Sequence, residues 1–434
     1  MARLLLISID RVGSSMAGPG IRYWELARAL SARHDVDLMV PRSTDLTSDA
    51  FGVIPYVYPF RGALPRAYDA VLCQEVTPPL VAAARRAGAR VILDAYDPVL
   101  LENLAIHQAD APPERATVNN LLKVDIVYGV QHCDAMICAG EKQRDLWLGA
   151  AMALGRITPA AYDEDPALRS FIDVVPFGLS ADDPVRGDVA GPRRRFGLAD
   201  DDIVLLWGGG IWNWFDPLTP IRAMQLLARH HPAVKLVFMG GVHPNPNMVD
   251  MTMGRRAVAL AEELRLKDTS VFFNDAWVPY QHRADWLLDA TYGISTHFDS
   301  IESRFSFRTR MLDYIWAELP IIASEGDELA GSVREHGVGR LVRVGDAEQL
   351  AATVASLAAS PEDVPAIRAR LRAMKPSLRW GAISTVIDRL IAGAVPRPHG
   401  AGAPRYWLRR LEAVAAGRGV GATRRAVVSR LTRR

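Results

Sequence analysis

The sequence predicts an α/β protein made of two successive doubly wound parallel sheets, and three observations carry that reading. Short, mainly apolar runs such as residues 4–9 and 203–207 alternate with segments of helical period, the alternation that builds parallel sheets covered by helices. A stretch dense in proline, glycine and charge, residues 176–197, interrupts the alternation near mid-chain and reads as an interdomain linker. Beyond it a second alternating series opens on three consecutive glycines. A length of 434 residues agrees, since it implies two to three domains.

In the first half, residues 4–9 read as a buried strand closed by the turn-rich GSSMAGPGIR, with Gly13, Gly18 and Gly20 ahead of a helix over 21–32. Glycine there lets the backbone bend or approach a ligand, although a purely structural turn explains it as well. The segment is not G-x-G-x-x-G, so a dinucleotide site is poorly supported. Further strands are expected at 36–40, 70–73, 91–93 and 135–138, with helices over 79–87 and 118–132. Loops after two of these strands carry Gln74 and Glu75, then Asp94, Tyr96, Asp97, Glu102 and His107, on the ligand side of such a sheet. His107 reads either as a substrate contact or as a solvated or capping histidine.

The second half begins with a strand at 203–207 and the loop GGGIWNWFDP, with Gly208, Gly209, Gly210, Asn213 and Asp216. Glycines directly after a strand suit a phosphate or sugar approaching the backbone. Trp212, Trp214 and Phe215 suit either stacking on a ligand or a plug beneath the loop. A helix over 220–229, a strand over 235–239, a helix over 249–264 and a strand over 271–273 follow. The segment 294–324, ISTHFDSIESRFSFRTRMLDYIWAELPIIAS, then carries a strand, a helix over 307–317 with Met311, Leu312 and Ile315 on one buried face, and a strand at 321–324. A last strand is expected at 341–344.

Between the first strand and the helix of that segment stand Glu302, Arg304, Ser306, Arg308 and Arg310. Arginines near a helix start favour a phosphate, because unpaired N–H groups and the helix dipole add to their planar donors. The reading is a diphosphate pocket with Glu302 ready to accept hydroxyl hydrogens. Arg308 and Arg310 on a solvated helix face is the competing reading.

Residues 405–434 carry nine arginines against the single acid Glu412, with Trp407, Leu408, Leu411 and Val414 at helical spacing. This is a basic amphipathic tail able to lie on anionic lipid, or a solvated tail by composition alone. The net charge of +2 gives no reason to expect a nucleic-acid partner. Cys73, Cys133 and Cys138 form no metal or redox motif, so packed thiols in a reducing compartment are expected. The opening is too short for a signal peptide and no run of eighteen apolar residues occurs. A cytoplasmic place, with the tail reaching the inner face of a membrane, is the expectation.

Two α/β halves, the VVPFG entry to the linker, the GGG loop and the late acid-bearing helix together resemble a GT-B glycosyltransferase of the retaining, group 1 type. The resemblance covers residues 3–393. That type carries two glutamates separated by seven residues, then A-x-G-x-P and an apolar strand. Here Glu302 stands as the first acid and Asp313, seven residues before Pro320, as the second. The two are separated by ten residues, and Trp316 and Glu318 replace the alanine and glycine. The resemblance implies two Rossmann-like domains facing each other across a cleft: an acceptor-side domain at 1–180 with a returning helix at 378–395, and a donor-binding domain at 181–377, followed by the tail at 396–434. It implies a nucleoside-diphosphate sugar as donor, a carbohydrate, lipid-linked or small-molecule acceptor, no cofactor and no metal. No D-x-D stands at a strand end in the second half. Donor contacts would come from Gly209, Gly210, Trp277, Ser306, Phe307, Arg308 and Asp313, the last on the ribose. No residue of the GGG loop matches the basic pair of that type, so Arg308 and Arg310 are inferred from their own charge to take its place on the diphosphate. The acceptor would enter across Gly18, Gly20, Asp97 and His107, with Asp97 and His107 as catalytic candidates beside Glu302.

Two other classes fit the same residues. A nucleotide-sugar epimerase on this fold would use carboxylates such as Glu75, Asp94 and Asp97, and would turn over donor without acceptor. A non-catalytic, membrane-docked binding protein would bind no nucleoside diphosphate.

Overall fold

The apolar runs fold as strands buried on both faces, as parallel strands covered by helices must be. The computed structural model describes residues 1–241, 251–393 and 403–418. Its first sheet contains β1 (Arg3–Ile7), β2 (Asp35–Pro41), β3 (Gly52–Tyr56), β4 (Ala70–Cys73), β5 (Arg90–Asp94), β6 (Ala135–Cys138) and β7 (Ile172–Val174). The second contains β8 (Ile203–Trp207), β9 (Val234–Phe238), β10 (Val271–Phe273), β11 (Tyr292–Ser295), β12 (Ile321–Ser324) and β13 (Gly339–Val342). The orders are β3-β2-β1-β4-β5-β6-β7 and β10-β9-β8-β11-β12-β13. Each sheet starts at its centre, winds outward one way, then reverses, so each has a switch point between its first and fourth strands.

The chain divides into two compact units. One comprises Met1–Ile9, Ala27–Pro176 and Ser384–Arg434, the other Asp10–Leu26 and Phe177–Ile383. The glycine-rich segment before the first helix (Gly18–Ser31) is thus grouped with the second unit. Tyr280 holds it there, its backbone N–H donating to the Ser14 carbonyl at 3.1 Å and its hydroxyl to Glu25 at 3.1 Å.

The first unit packs Leu5, Val71, Leu93 and Met136 of its strands against Leu80, Val130 and Trp147 of its helices. Cys73, Cys133 and Cys138 are free and buried there, and burial raises the last two thiols to about 12, so they pack as small apolar groups. The helix Thr385–Ala392 is tied in through Asp388, which accepts from Arg33 Nε at 2.9 Å and pairs with His34 Nε2 at 2.8 Å. The helix Ala403–Arg418 lies along Pro112–His132. Tyr406 packs edge-on against Tyr128 and donates to Asp125 at 2.7 Å, and Arg410 pairs with the same carboxylate. The second unit centres on Leu205, Trp207, Phe238, Ile294 and Ile322.

Strands expected at 70–73, 135–138, 203–207 and 271–273 have those bounds. The structure corrects several others. β3 and β7 are edge strands that the sequence reading passed over, and β3 is mostly uncovered. The stretch holding Glu102 is a helix, Val99–Ile106, capped at its end by His107 and with none of its residues fully buried. The segment read as linker contains a short helix, Pro192–Phe196. The helix expected at 307–317 runs from Thr309 to Trp316 and is preceded by a five-residue helix, Ile301–Phe305. A helix start near 249 and the tail beyond residue 418 lie outside the described residues. Among the described residues no helix is long and apolar enough to cross a membrane.

Candidate functional site

β8 and β11 are the pair at which the second sheet reverses direction, so ligands of such a sheet gather beyond their carboxyl ends. The GGG loop leaves β8 there, and the arginine-bearing segment leaves β11. Gly209 has φ +76, a left-handed turn that favours glycine. Tyr314, fully buried on the helix Thr309–Trp316, fixes the loop's entry. Its hydroxyl accepts from Gly208 N–H at 2.8 Å and lies 3.0 and 2.9 Å from the carbonyls of Leu206 and Ile294. Asp216 caps the next helix, Leu218–Leu227, by accepting from the N–H groups of Leu218 and Thr219, both at 3.0 Å.

Arg310 points into this loop. Its Nη2 donates to the Gly210 carbonyl at 2.8 Å, and its guanidinium lies 3.8 Å from the Phe215 ring centroid and 4.4 Å from that of Trp207. It is only 7% exposed and has no ion-pair partner among the described residues. Burial lowers its pKa to about 9, which still leaves it charged at neutral pH. Its Nη1 is buried and has no hydrogen-bond partner among the described residues. A buried cation with a spare donor, beside backbone that turns through glycines, has the chemistry that an anion would require.

Arg308 is also buried but differently used. Both of its terminal nitrogens go to Glu302, Nη1 to Oε1 at 3.0 Å and Nη2 to Oε2 at 2.8 Å. Ser306 and Ser303 also donate to that carboxylate. The chain leaves helical geometry at Ser306 (φ −84, ψ 145), which lets Arg308 fold back over Glu302. The solvated-face reading of Arg308 and Arg310 is thereby corrected, for both are buried. Glu302, expected to stand ready for sugar hydroxyls, is 3% exposed with both oxygens occupied. Phe215 closes the set, with Arg308 4.8 Å from its ring centroid and Arg310 at 3.8 Å.

Asp313 lies one turn along the same helix with 44% of its side chain exposed, and Arg283 Nε reaches its Oδ1 at 3.2 Å. The surrounding protein raises its carboxyl pKa, against the pull of Arg283. Trp277 is half-buried in the segment after β10, Ser306 is buried and Phe307 half-buried. Trp212 and Trp214 stack 5.9 Å apart and lean on the core beneath the loop, which favours the plug reading.

Sequence reasoning missed His297. It is 1% exposed just past β11, with Nδ1 3.0 Å from the Phe298 carbonyl and Nε2 3.7 Å from Asp327 Oδ2. Burial, then the nearby Arg308 charge, lowers its pKa to about 4. A histidine directly at a strand end was the available signal.

The remaining candidates lie elsewhere. Asp97 is half-buried in the loop after β5 of the first unit. His107 ends the helix Val99–Ile106, and its Nδ1 pairs with Asp110 at 2.6 Å, a capping arrangement. Gly18 and Gly20, read as acceptor-side residues of the first domain, are grouped with the second unit. A Cβ at Gly20 would stand 2.2 Å from the Arg11 carbonyl, so close backbone approach explains that glycine.

No family model matches the sequence, and no curated protein matches it. Solved structures do. Sucrose-phosphate synthase from Thermosynechococcus elongatus superposes with a TM-score of 0.58 at 17% identity, covering 90% of this chain and 98% of that one. HepE from Anabaena, in complex with UDP-glucose, superposes at 0.60 and 12% identity, covering 91% and 100%. WaaG, a glycosyltransferase involved in lipopolysaccharide biosynthesis, gives 0.56 at 13%, covering 90% and 100%. With its two parallel α/β units, the chain has the GT-B fold of these glycosyltransferases.

Proposed function

We propose that the protein is a glycosyltransferase that moves a sugar from a nucleoside-diphosphate donor to an acceptor hydroxyl. The observation that carries this is Arg310, a buried cation at the GGG loop of a sheet switch point, with a spare donor nitrogen and no ion-pair partner among the described residues. A diphosphate leaving group gathers negative charge as the glycosidic bond breaks, and fixed donors in a low-dielectric site stabilise that charge more than water does. Arg310 and the backbone N–H groups of the loop would meet the phosphates. Asp313 would accept from the ribose, and Trp277 would flank the base. Glu302 would act through Arg308, holding the segment after β11 in place, rather than on the sugar itself.

Transfer with retention, without metal or resident cofactor, follows the group 1 resemblance. So does an acceptor side formed by Asp97 and His107 of the first unit. HepE is described with UDP-glucose, which makes UDP-hexoses the first donors to try. The WaaG likeness points to surface polysaccharide or glycolipid assembly. The helix Ala403–Arg418 supports a membrane contact for such work. Its inner face is docked through Tyr406, Arg410 and Ala413, while Trp407, Leu408 and Leu411 are 50%, 56% and 48% exposed beside the exposed Arg405 and Arg409. That is an apolar stripe with basic flanks, suited to anionic headgroups.

The test is release of nucleoside diphosphate from a panel of UDP-, GDP-, ADP- and dTDP-sugars, with and without simple acceptor glycosides. Acceptor-dependent release from one donor supports the reading. Turnover of donor to an isomeric sugar without acceptor favours the epimerase, and no binding of any donor favours the binding protein.

A further inference from the structure

Arg283 is a firmly held cation of the second unit, outside the GGG loop, with no role in the transfer proposed above. It lies at the start of the helix Arg283–Leu287, 8% exposed, on the segment that follows β10. Its guanidinium is sandwiched between two rings, 3.8 Å from the Tyr280 centroid and 4.0 Å from that of Trp316. Each nitrogen then has its own partner. Nη1 donates to the Tyr280 carbonyl at 2.9 Å, Nη2 to Ser180 Oγ at 2.8 Å and Nε to Asp313 Oδ1 at 3.2 Å.

The plane of the guanidinium is therefore set by aromatic stacking and two further hydrogen bonds, not by the carboxylate it meets. Asp313 has the opposite character, with nearly half its side chain open. A short carboxylate left alone rotates about χ2, presenting either oxygen. One oxygen bound to a fixed donor removes that freedom and leaves the other oxygen as an acceptor in a fixed direction. A ribose diol needs such an acceptor, since both of its hydroxyls donate.

We infer that Arg283 is a positioning residue for nucleotide binding, clamping Asp313 Oδ1 so that Oδ2 faces the ribose of a nucleoside diphosphate. The inference rests on the donor-site reading above. It assigns the task of ribose recognition to an Arg283–Asp313 pair and leaves the phosphates to Arg310. The same anchor extends to the glycine-rich segment, because Tyr280, the ring beneath Arg283, bonds both Ser14 and Glu25. Loss of the guanidinium should therefore weaken contacts to the ribose and spare those to the phosphates.

The experiment is calorimetric titration of UDP, GDP, ADP, dTDP and inorganic pyrophosphate into wild-type protein, Arg283→Met and Arg283→Lys, with melting temperatures recorded alongside. Methionine keeps the stem volume between the two rings, and lysine keeps the charge without the planar fork. The expected result is a loss of about tenfold or more in affinity for the preferred ribonucleoside diphosphate in Arg283→Met, with pyrophosphate affinity unchanged and partial recovery in Arg283→Lys. The 2′-deoxy form of the preferred nucleotide, which keeps one of the two hydroxyl donors, should lose less affinity between wild type and Arg283→Met than the ribonucleotide does. Wild-type nucleotide affinity in Arg283→Met overturns the inference alone, as does an equal loss for nucleotide and pyrophosphate with a lowered melting temperature. A wild-type protein that binds none of the four nucleotides overturns the donor-site reading and this inference with it.

Discussion

Glu302 and Arg308 face each other in a two-pronged ion pair, both residues 3% exposed, with nitrogen–oxygen distances of 3.0 and 2.8 Å. Such a pair stabilises little over well-packed apolar groups, but breaking it leaves one charge buried and uncompensated. Glu302→Gln is therefore expected to destabilise the second unit by about 3–5 kcal/mol. Arg308→Met added to Glu302→Leu should recover most of that. Chemical denaturation of the three proteins checks it, and equal stability of Glu302→Gln and wild type would return Glu302 to the list of residues free to act on substrate.

His297, buried beside Arg308, is expected to make the stability depend on pH. Its folded pKa, about 4, lies below the ordinary value of 6.5, so between these values the unfolded chain binds the extra proton and the folded chain does not. Stability from this group is full above about pH 6.5 and falls as pH drops towards 4, by up to about 3 kcal/mol. His297→Asn should flatten that part of the profile. Melting curves of the two proteins from pH 7.5 to 4.5 measure the difference, and parallel profiles would remove His297 as the cause.

Much of the fold was legible because parallel strands are short, apolar and buried on both faces. The runs 70–73, 135–138, 203–207 and 271–273 carry that signal without interference. β3 escaped because an edge strand is covered on few sides, and its GVIPY holds a proline with no N–H to give. The helix Val99–Ile106 escaped because its face is only half covered, so Glu102 and His107 looked like loop residues. At the site, the charge-rich start of the helix was visible, but the division of labour was not. A six-residue spacing between Glu302 and Arg308 matches no helical face. Only the break at Ser306 brings them together and leaves Arg310 without an ion-pair partner among the described residues. Arg283 gave even less warning, since its partners Tyr280, Trp316 and Ser180 come from three separate segments.

The tail helix offers a test that leaves the site untouched. Trp407→Ser with Leu408→Ser removes exposed apolar groups, so the melting temperature should stay within about a degree of wild type while sedimentation with anionic vesicles falls severalfold at low salt. Asp125→Asn should loosen the docked face instead, because Arg410 and Tyr406 both use that carboxylate. Unchanged vesicle binding in the double serine variant would argue against a lipid contact for this helix.

Gly209 tests the loop that frames the proposed anion site. At φ +76 a side chain is strained, and Gly209→Val should weaken nucleotide binding while costing about 1–3 kcal/mol in stability. Calorimetry and melting together separate the two effects, and full affinity in a folded Gly209→Val would show that the turn is dispensable for binding.

The central claim is that Arg310 awaits the phosphates of a nucleotide, and titration of pyrophosphate and UDP into wild type and Arg310→Met tests it most directly. Methionine fills the space over Phe215 and Trp207 without the charge. The account predicts that the variant folds and loses about 1.5–3 kcal/mol of binding energy for both ligands. Equal affinity of wild type and Arg310→Met for both would contradict it.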